Sequence, residues 1–338
     1  MRIGVDLMGS DSSPRVLFAG AQLAAEQLDP SCTLVVIGTH SVIRELRQHS
    51  HIASNHAQIE FHAVADAIVM ADDPLAAASR KKSSSLVVGV RLLKKRYLDA
   101  FISAGNTGAL ITSATLQLPR LPGIKRPALL AVLPTVTGSV AVLDVGGSVM
   151  FKPHHLVQFA QMGAAYQRCM EGIESPNVAL LNIGVEPKKG NSVVRQAYQQ
   201  LEQMCQKDSS MHFVGNVEGR ELFQGGVDVL VTDGFTGNVL LKTSEGVSSF
   251  IFGYLNEALQ GAPSDKLLPA FQELKRYFTY TEYPGAFVCG VEGILIKNHG
   301  NASAQSIVSS IKGAKKLIDT QIISNLYHSL NKIDNNCV

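Results

Sequence analysis

Two short stretches of the sequence carry residue types that bind anions. The stretches "SAGNTGALITSA" (residues 103–114) and "VTDGFTGNVLLKTSEG" (residues 231–246) both place Gly-x-Thr-Gly between an apolar run and a helical pattern. Glycine lets the backbone approach a ligand closely, and a helix start presents unpaired N–H groups with a partial positive charge. The sequence therefore predicts two phosphate-binding helix starts, formed by Gly105, Asn106, Thr107 and Gly108 and by Gly234, Thr236 and Gly237.

Two side chains after the second turn extend this prediction. Asn238 is of a type that caps helices, and Lys242 follows one turn later. Because side chains on a helix tilt toward its N-terminus, we expect Lys242 to lean back toward the same anion site.

The elements that position these turns are short apolar strands alternating with helical patterns. The predicted strands cover residues 2–6, 33–38, 99–103, 140–144, 178–182, 227–232 and 294–297. Such alternation predicts a mostly parallel sheet with helices on both faces, a three-layer α/β/α sandwich. Ligands of open parallel sheets bind at the carboxyl ends of the strands, so the residues at the strand exits are the candidates for chemistry.

The strand exits resemble one another. Glycine recurs there with Asn, Asp, Ser or Lys, as in "DLMGSDSSP", "DVGGS", "NIGVEPKKGNS", "GNVEGRE" and "KNHGNAS". Each one alone is equally consistent with a tight turn between strand and helix. His299 is the one histidine at an exit, and both a capping role and proton transfer stay open for it.

Several familiar sites are missing from the sequence. No Gly-x-Gly-x-x-Gly follows a strand, "GVEPKKGNS" has its lysines before the second glycine, and no Gly-x-Ser-x-Gly is present. The five cysteines are odd in number and form no Cys-x-x-Cys unit, which predicts a reducing cytoplasm. We therefore predict no cofactor, no metal and no covalent protein nucleophile.

Composition narrows the class of protein further. The chain has 338 residues, 46% hydrophobic and 17% charged, with a formal net charge of +2, too mild for a dedicated nucleic-acid binder. The longest apolar stretch is broken by Pro134, Thr137 and Gly138 and predicts two strands and a turn instead of a membrane span. Basic runs at 79–85 and 92–97 are typical of a solvated helix face or of a docking surface for an acidic partner.

Two helical segments complete the prediction. Pro14 suits the first turn of a helix that Ser12 or Ser13 caps, with Val16, Leu17, Leu23, Ala24 and Leu28 on one face. Residues 250–285 predict two helices joined at Gly261 to Ser264, with a stripe of Leu267, Phe271, Leu274 and Phe278. No linker divides residues 1–338, so we expect one domain with two lobes around a cleft and a helical hairpin at 245–285.

Together these motifs resemble a known enzyme family. "SAGNTGAL", "KRPAL", "LLNIGVEPKKGN", "GNVEGRE" and "VTDGFTGNVLLKTSEG" are similar, in order and spacing, to the PlsX family of phosphate acyltransferases, and the likeness extends from "VDLMGSDSSP" to "HGNASAQSI". The resemblance implies that long-chain acyl-[acyl carrier protein] and inorganic phosphate give acyl phosphate and free carrier protein in bacterial phospholipid (phosphatidic acid) synthesis. It also implies a fold like that of phosphotransacetylases and decarboxylating dehydrogenases.

The resemblance carries expectations about partners as well. It implies a cytoplasmic homodimer that attaches peripherally to the inner face of the cell membrane through the 245–285 hairpin, with a glycerol-3-phosphate acyltransferase downstream. An acidic carrier protein would meet a basic rim, for which Arg80, Lys81 and Lys82 or Lys94 to Arg96 are candidates.

Site roles follow from the resemblance and the strand exits together. Phosphate would lie on the two helix starts with Lys189 and Arg220 as cationic partners, Asn216 or Asn238 would donate to the thioester oxyanion, and Asp233 would orient a lysine or the phosphate. The predicted catalytic residues are Lys189, Asn216, Arg220, Asp233, Asn238, Lys242 and His299. The substrate-binding residues add Asp6, Gly9, Asp11, Asp144, Asn191 and Glu218 to the two turns.

The sequence departs from the family pattern where Ser10 replaces a glycine, where Ser148 replaces an asparagine, and where "YPGAFVCG" stands in place of Gly-Gly-Ala-x-Leu-Leu-Gly. Three other functions stay open at this point: a short-chain phosphate acyltransferase that uses acyl-coenzyme A, a dehydrogenase on the related fold, and a membrane-associated scaffold of lipid synthesis.

Overall fold

A computed structural model describes residues 1–48, 56–148, 150–258 and 285–335 of the chain. In these ranges the strands are β1 (Arg2–Asp6), β2 (Thr33–Thr39), β3 (Gln58–Val64), β4 (Ala100–Ser103), β5 (Ala128–Thr135), β6 (Gly138–Leu143), β7 (Asn177–Leu181), β8 (His212–Val217), β9 (Val229–Val231), β10 (Ala286–Cys289) and β11 (Ile294–Lys297). The helices are α1 (Pro14–Ala25), α2 (His40–Arg47), α3 (Pro74–Arg80), α4 (Ser85–Lys94), α5 (Thr107–Gln117), α6 (Pro153–Glu171), α7 (Ser192–Cys205), α8 (Gly234–Ala258), α9 (Ala304–Asp319) and α10 (Ile322–Asn335).

The chain divides into two compact units. Unit one comprises residues 1–130, 165–173 and 284–338, and unit two comprises residues 131–164 and 174–283. Neither unit is continuous in sequence, because the chain returns to unit one twice. The cleft between two lobes stays a prediction.

Unit one is built on strands in the order β3-β2-β1-β4-β11-β10-β5. Neighbours from β3 to β11 are parallel, whereas β10 pairs antiparallel with both β11 and β5. The central strands are almost fully buried, as expected where helices cover both faces of a parallel sheet.

Unit two has the order β5-β6-β9-β7-β8, with β6, β9, β7 and β8 parallel. Val229, Leu230 and Val231 of β9 are fully buried, and Phe159 and Met162 of α6 belong to the same core. A Cβ on Gly163 would lie 2.9 Å from Leu143 Cδ1, so this glycine lets α6 approach the sheet closely.

The buried face of α1 differs from the predicted apolar face. Its buried side consists of Leu17, Phe18, Gly20, Ala21, Ala24 and Ala25, while Val16 and Leu23 are 38% and 41% exposed. The buried face of α1 is rich in small residues because α1 packs tightly on α9. A Cβ on Gly20 would lie 2.6 Å from Ala304 O. Ser13 is the N-cap residue, but its side chain makes no capping hydrogen bond.

The C-terminal part of unit two also differs from the prediction. One helix, α8, continues from Gly234 to Ala258, so no new helix begins at Phe250. The predicted turn at Gly261 to Ser264 and the stripe of Leu267, Phe271, Leu274 and Phe278 lie outside the described residues. The helical hairpin therefore stays a prediction.

Candidate active site

Three polar residues in register end the central strands of unit one. Asp6 is paired with Ser103 across β1 and β4, and Ser103 is paired with Lys297 across β4 and β11. All three are buried. Because the strands are parallel, their carboxyl ends bring these side chains and the following loops to one edge of the sheet.

A hydrogen-bonded chain connects Asp6 to the start of α5. Ser103 Oγ donates to Asp6 Oδ2 at 2.9 Å and accepts from Gly105 N at 3.1 Å. Burial raises the pKa of Asp6 to about 6, while hydrogen bonds from the Met8 N–H and Ser103 and the charge of Lys297 oppose the shift. These hydrogen bonds fix the turn that precedes α5.

A neutral side chain caps α5. Asn106 Oδ1 accepts from Ala109 N at 3.0 Å, and Asn106 Nδ2 donates to the carbonyl oxygens of Met70 and Asp72, each at 3.1 Å. The first two helical residues, Thr107 and Gly108, have N–H groups without an intrahelical acceptor. This start thus offers backbone donors to an anion, and its capping side chain is neutral, whereas the carboxyl of Asp6 is connected to it only through Ser103.

Lys297 supplies a buried cation beside this helix start. Its Nζ donates to Ala104 O at 3.4 Å and to Asn298 O, and the residue is only 9% exposed. The prediction from sequence missed Lys297, although a lysine that ends the apolar strand "ILIK" was a usable signal. The charge of Lys297 is close enough to Asp6 to lower the pKa of that carboxyl, and buried ionisable groups of this kind are functional candidates.

The loops around the α5 start are tied to one another. Gly9 has φ +70°, and a Cβ there would collide with the carbonyl oxygen of Ile68. Ser10 Oγ and Asp11 N both donate to Gly300 O, at 2.6 and 2.9 Å. The Ser10 departure therefore has a local role, and His299, whose own N–H donates to Asn298 Oδ1, is exposed in the same loop.

In unit two, the start of α8 is capped by a carboxylate. Asp233 Oδ1 accepts from Phe235 N and Thr236 N, both at 3.0 Å, and Oδ2 accepts from Thr236 Oγ1 at 2.7 Å. The predicted cap was wrong, because Asp233 holds that position and Asn238 is the fifth residue of the helix, exposed to solvent.

A second carboxylate, from Asp144, lies against the same helix start. Asp144 is buried and accepts from Gly147 N and Ser148 Oγ, both at 2.7 Å. A Cβ on Gly234 would lie 2.8 Å from Asp144 Oδ2, so glycine permits this close packing. With two carboxylates beside it, the α8 start suits phosphate less well than the α5 start.

The side chain of Lys242 points in a different direction from the predicted one. Its Nζ lies 2.9 Å from Glu245 Oε2, one turn further along α8, instead of turning back toward the N-terminus. The i, i+3 carboxylate supplies a nearer partner than the helix start does.

The exits of β7 and β8 hold the remaining predicted residues. Asn191 caps α7 by accepting from Val194 N at 3.0 Å. Lys189 Nζ is 4.0 Å from Glu186 Oε1, and Arg220 Nε is 3.0 Å from Glu218 Oε2. Asn216 is buried; its Nδ2 donates to Glu186 O at 2.9 Å, and its Oδ1 has no hydrogen-bond partner among the described residues.

The predicted site residues are divided between the two units. Unit one gathers Asp6, Gly9, Asp11, Gly105, Asn106, Thr107, Gly108 and His299 around the α5 start. Unit two holds Asp144, Lys189, Asn191, Asn216, Glu218, Arg220, Asp233, Gly234, Thr236, Gly237, Asn238 and Lys242. Unit one offers backbone N–H donors at the α5 start beside the buried Lys297, and unit two presents the exposed cations Lys189 and Arg220.

Comparison with known proteins decides the family. A family model described as "Fatty acid synthesis protein" matches residues 1–325. Curated relatives named "Phosphate acyltransferase" include those of Brevibacillus brevis, 40% identical with 98% of each chain covered, and of Thermoanaerobacter pseudethanolicus, 39% identical with 96% of each covered. This chain belongs to the PlsX family of phosphate acyltransferases. As a member of that family it is an acyltransferase enzyme of fatty acid and phospholipid synthesis.

Solved structures confirm the fold prediction for this PlsX family member. A phosphotransacetylase from Streptococcus pyogenes is similar with a TM-score of 0.59, 16% identity and 94% of each chain covered. The EutD phosphotransacetylase from Staphylococcus aureus has a TM-score of 0.56 and 16% identity, covering 93% of this chain and 94% of its own. These likenesses establish the mostly parallel α/β fold. Within the described residues, no helix has the length and apolarity to cross a membrane.

Proposed function

We propose that this enzyme transfers a long-chain acyl group from acyl-[acyl carrier protein] to inorganic phosphate. The products are acyl phosphate and free carrier protein, and acyl phosphate is the donor that a downstream glycerol-3-phosphate acyltransferase consumes in phosphatidic acid synthesis. Membership of the phosphate acyltransferase family supports the reaction type.

The observation that carries the proposal is the anion site at the α5 start. Phosphate would accept hydrogen bonds from the N–H groups of Thr107 and Gly108, beside the buried ammonium group of Lys297. The neutral cap of Asn106 keeps this place free of the negative charge that Asp233 brings to α8. Gly9 and Gly105 let the loop after β1 pack closely on Ile68 and on the turn before α5, which holds this helix start in place.

The reaction needs no protein nucleophile. A phosphate oxygen attacks the thioester carbonyl carbon, the C–S bond breaks as the acyl–oxygen bond forms, and the thiolate takes its proton from water. A thiol with a pKa near ~8.5 leaves readily. Holding the two reactants in the right geometry can supply ~7 kcal/mol or more of the barrier.

Residues of unit two are proposed to bind and polarise the acyl thioester. Lys189 and Arg220 would supply positive charge, and the exposed amide of Asn238 would donate to the oxyanion. Asn216 has one N–H committed to Glu186 O and an unpartnered acceptor, which favours Asn238 over Asn216 for that role. His299 stays the candidate for proton transfer.

The proposal includes a homodimer that attaches peripherally to the inner face of the cell membrane. Exposed apolar residues lie along one side of α8, namely Val239, Val247, Phe250, Ile251 and Tyr254. Val247, Phe250, Ile251 and Tyr254 of this face belong to the 245–285 segment that the sequence predicts to be a hairpin. Large exposed apolar surfaces mark interaction sites, which supports contact with a second copy or with lipid here.

The test is phosphate-dependent release of thiol from palmitoyl-carrier protein, with the acyl phosphate trapped by hydroxylamine. We expect thiol release to require phosphate and to exceed that from acetyl-coenzyme A. If only acetyl-coenzyme A were turned over, the proposed phosphate site would stand and the proposed long-chain substrate would be refuted. Thiol release that does not depend on phosphate would refute the acyl transfer itself.

A further inference from the structure

Three side chains hold the loop of residues 182–191, here called the β7–α7 loop. Asn182 Nδ2 donates to Lys189 O at 3.1 Å, Asn216 Nδ2 donates to Glu186 O at 2.9 Å, and Arg195 Nη1 donates to Gly190 O at 2.7 Å. Each hydrogen bond fixes a backbone carbonyl group of the loop. Asn216 and Arg195 lie outside the loop, and Asn182 is its first residue. The loop is thus held in one conformation and loses little entropy when a partner binds.

The β7–α7 loop presents apolar side chains to solvent. Ile183 is 80% exposed and Val185 is 55% exposed. Two branched aliphatic residues at the tip of a well-bonded loop contribute little to the core of unit two. Exposed apolar residues on a rigid loop are typical of a surface that binds another molecule.

The charge of the same loop is mainly positive. Lys188 and Lys189 are exposed, and Arg195 follows one turn into α7, against the single carboxylate of Glu186. A small apolar centre with cationic residues around it is the usual composition of an interface for an acidic protein.

We propose that the β7–α7 loop is the docking surface for the acidic carrier protein that delivers the acyl group. This inference rests on the proposed function, because it takes its partner from that reaction. Ile183 and Val185 would pack on apolar residues of the carrier, and Lys188 would pair with its carboxylates.

A lipid surface fits the loop less well than a protein does. Residues 182–191 contain no aromatic residue, and Glu186, 60% exposed at its side chain, stands in the middle of the loop. Interfacial segments carry Trp, Phe or Leu on the buried side, and anionic headgroups repel a carboxylate.

The experiment measures the Kd of fluorescently labelled holo-acyl carrier protein for the full-length enzyme by anisotropy. We expect Ile183→Asp and Val185→Asp each to weaken binding about tenfold, since each removes an apolar contact and adds a charge that repels the carrier. Lys188→Glu should weaken binding and reduce its dependence on salt. The matched control is Val136→Asp, an exposed valine of unit two on the turn between β5 and β6.

Each outcome decides the proposal. Unchanged Kd in the Ile183 and Val185 variants, an equal loss in the Val136 control, or no binding by the wild-type enzyme would overturn the docking surface. Loss of binding to anionic vesicles with carrier binding retained would assign the loop to lipid instead. Phosphate-dependent thiol release by the wild type is measured separately, so failure of the reaction is distinguished from failure of the surface.

Discussion

Among single residues, Lys297 is the buried cation proposed to lie beside the bound phosphate. Replacing it in Lys297→Met removes the buried cation beside the α5 start and preserves most of the side-chain volume. We expect kcat/KM for phosphate to fall by about 100-fold, because a charge-assisted contact in a desolvated site is lost. Steady-state kinetics with varied phosphate measure the change.

The control for Lys297→Met is Lys312→Met, an exposed lysine on α9 in the same unit. It should leave kcat/KM for phosphate unchanged. Circular dichroism separates loss of binding from loss of folding. A folded Lys297→Met enzyme with the wild-type KM for phosphate would place the phosphate elsewhere.

The raised pKa of Asp6 predicts that the stability of the protein depends on pH. The pKa of this carboxyl rises from 3.8 to about 6 through burial, so the folded state holds the proton more tightly than the unfolded state does. Its favourable contribution is complete below pH 3.8 and is lost as the pH rises through about 6. Relative to Asp6→Asn, the wild-type free energy of unfolding should fall by about 2 kcal/mol from pH 4 to pH 7. Urea unfolding of both proteins across that range measures it, and a constant difference would contradict it.

At the scale of single residues, the sequence predicted which residue types belong to the site better than it predicted which partners their side chains contact. Asp6 and Asn106 were recognisable because polar residues followed apolar strands. Lys297 was missed because its importance depends on burial beside Ala104, which only the pairing of β4 with β11 creates. Lys242 was misdirected because the choice between two nearby partners depends on side-chain geometry.

Among the elements, α8 provides a matched pair of glycines. A Cβ on Gly237 would collide with the carbonyl oxygen of Asp144, whereas a Cβ on Gly246 would meet nothing within 4 Å. We expect Gly237→Ala to destabilise the protein by about 1–3 kcal/mol through overpacking. Gly246→Ala should stabilise it by up to about 1 kcal/mol through helix propensity. Thermal and urea unfolding measure both, and equal effects would show that the α8 start tolerates a shift away from Asp144.

Element boundaries followed the sequence where one pattern dominated. The strands at 2–6 and 294–297 were predicted at their observed ends, because buried parallel strands appear as short apolar runs. The face of α1 was wrong at Val16 and Leu23, since close packing on α9 selects small residues over large ones. The antiparallel pairing of β10 depends on partners far away in sequence, and local patterns contain no information about it.

For the whole molecule, the proposed homodimer would use the exposed apolar side of α8. Phe250 and Tyr254 are 73% and 66% exposed on the same side of the helix, so a charge there should weaken contact between two copies. We expect Phe250→Glu with Tyr254→Glu to shift the sedimenting species from dimer toward monomer at micromolar concentration. Because burying two aromatic residues is worth several kcal/mol, the dimer Kd should rise at least about 100-fold.

The matched control for this prediction is Leu116→Glu, which places the same charge at a 61% exposed leucine on α5. Flotation with anionic liposomes, run on the same proteins, separates the two uses of the α8 face. Loss of flotation with an unchanged sedimentation coefficient would assign the face to lipid alone. If neither measurement changed, the exposed side of α8 would serve neither the dimer nor the membrane, and both contacts would have to come from other parts of the chain.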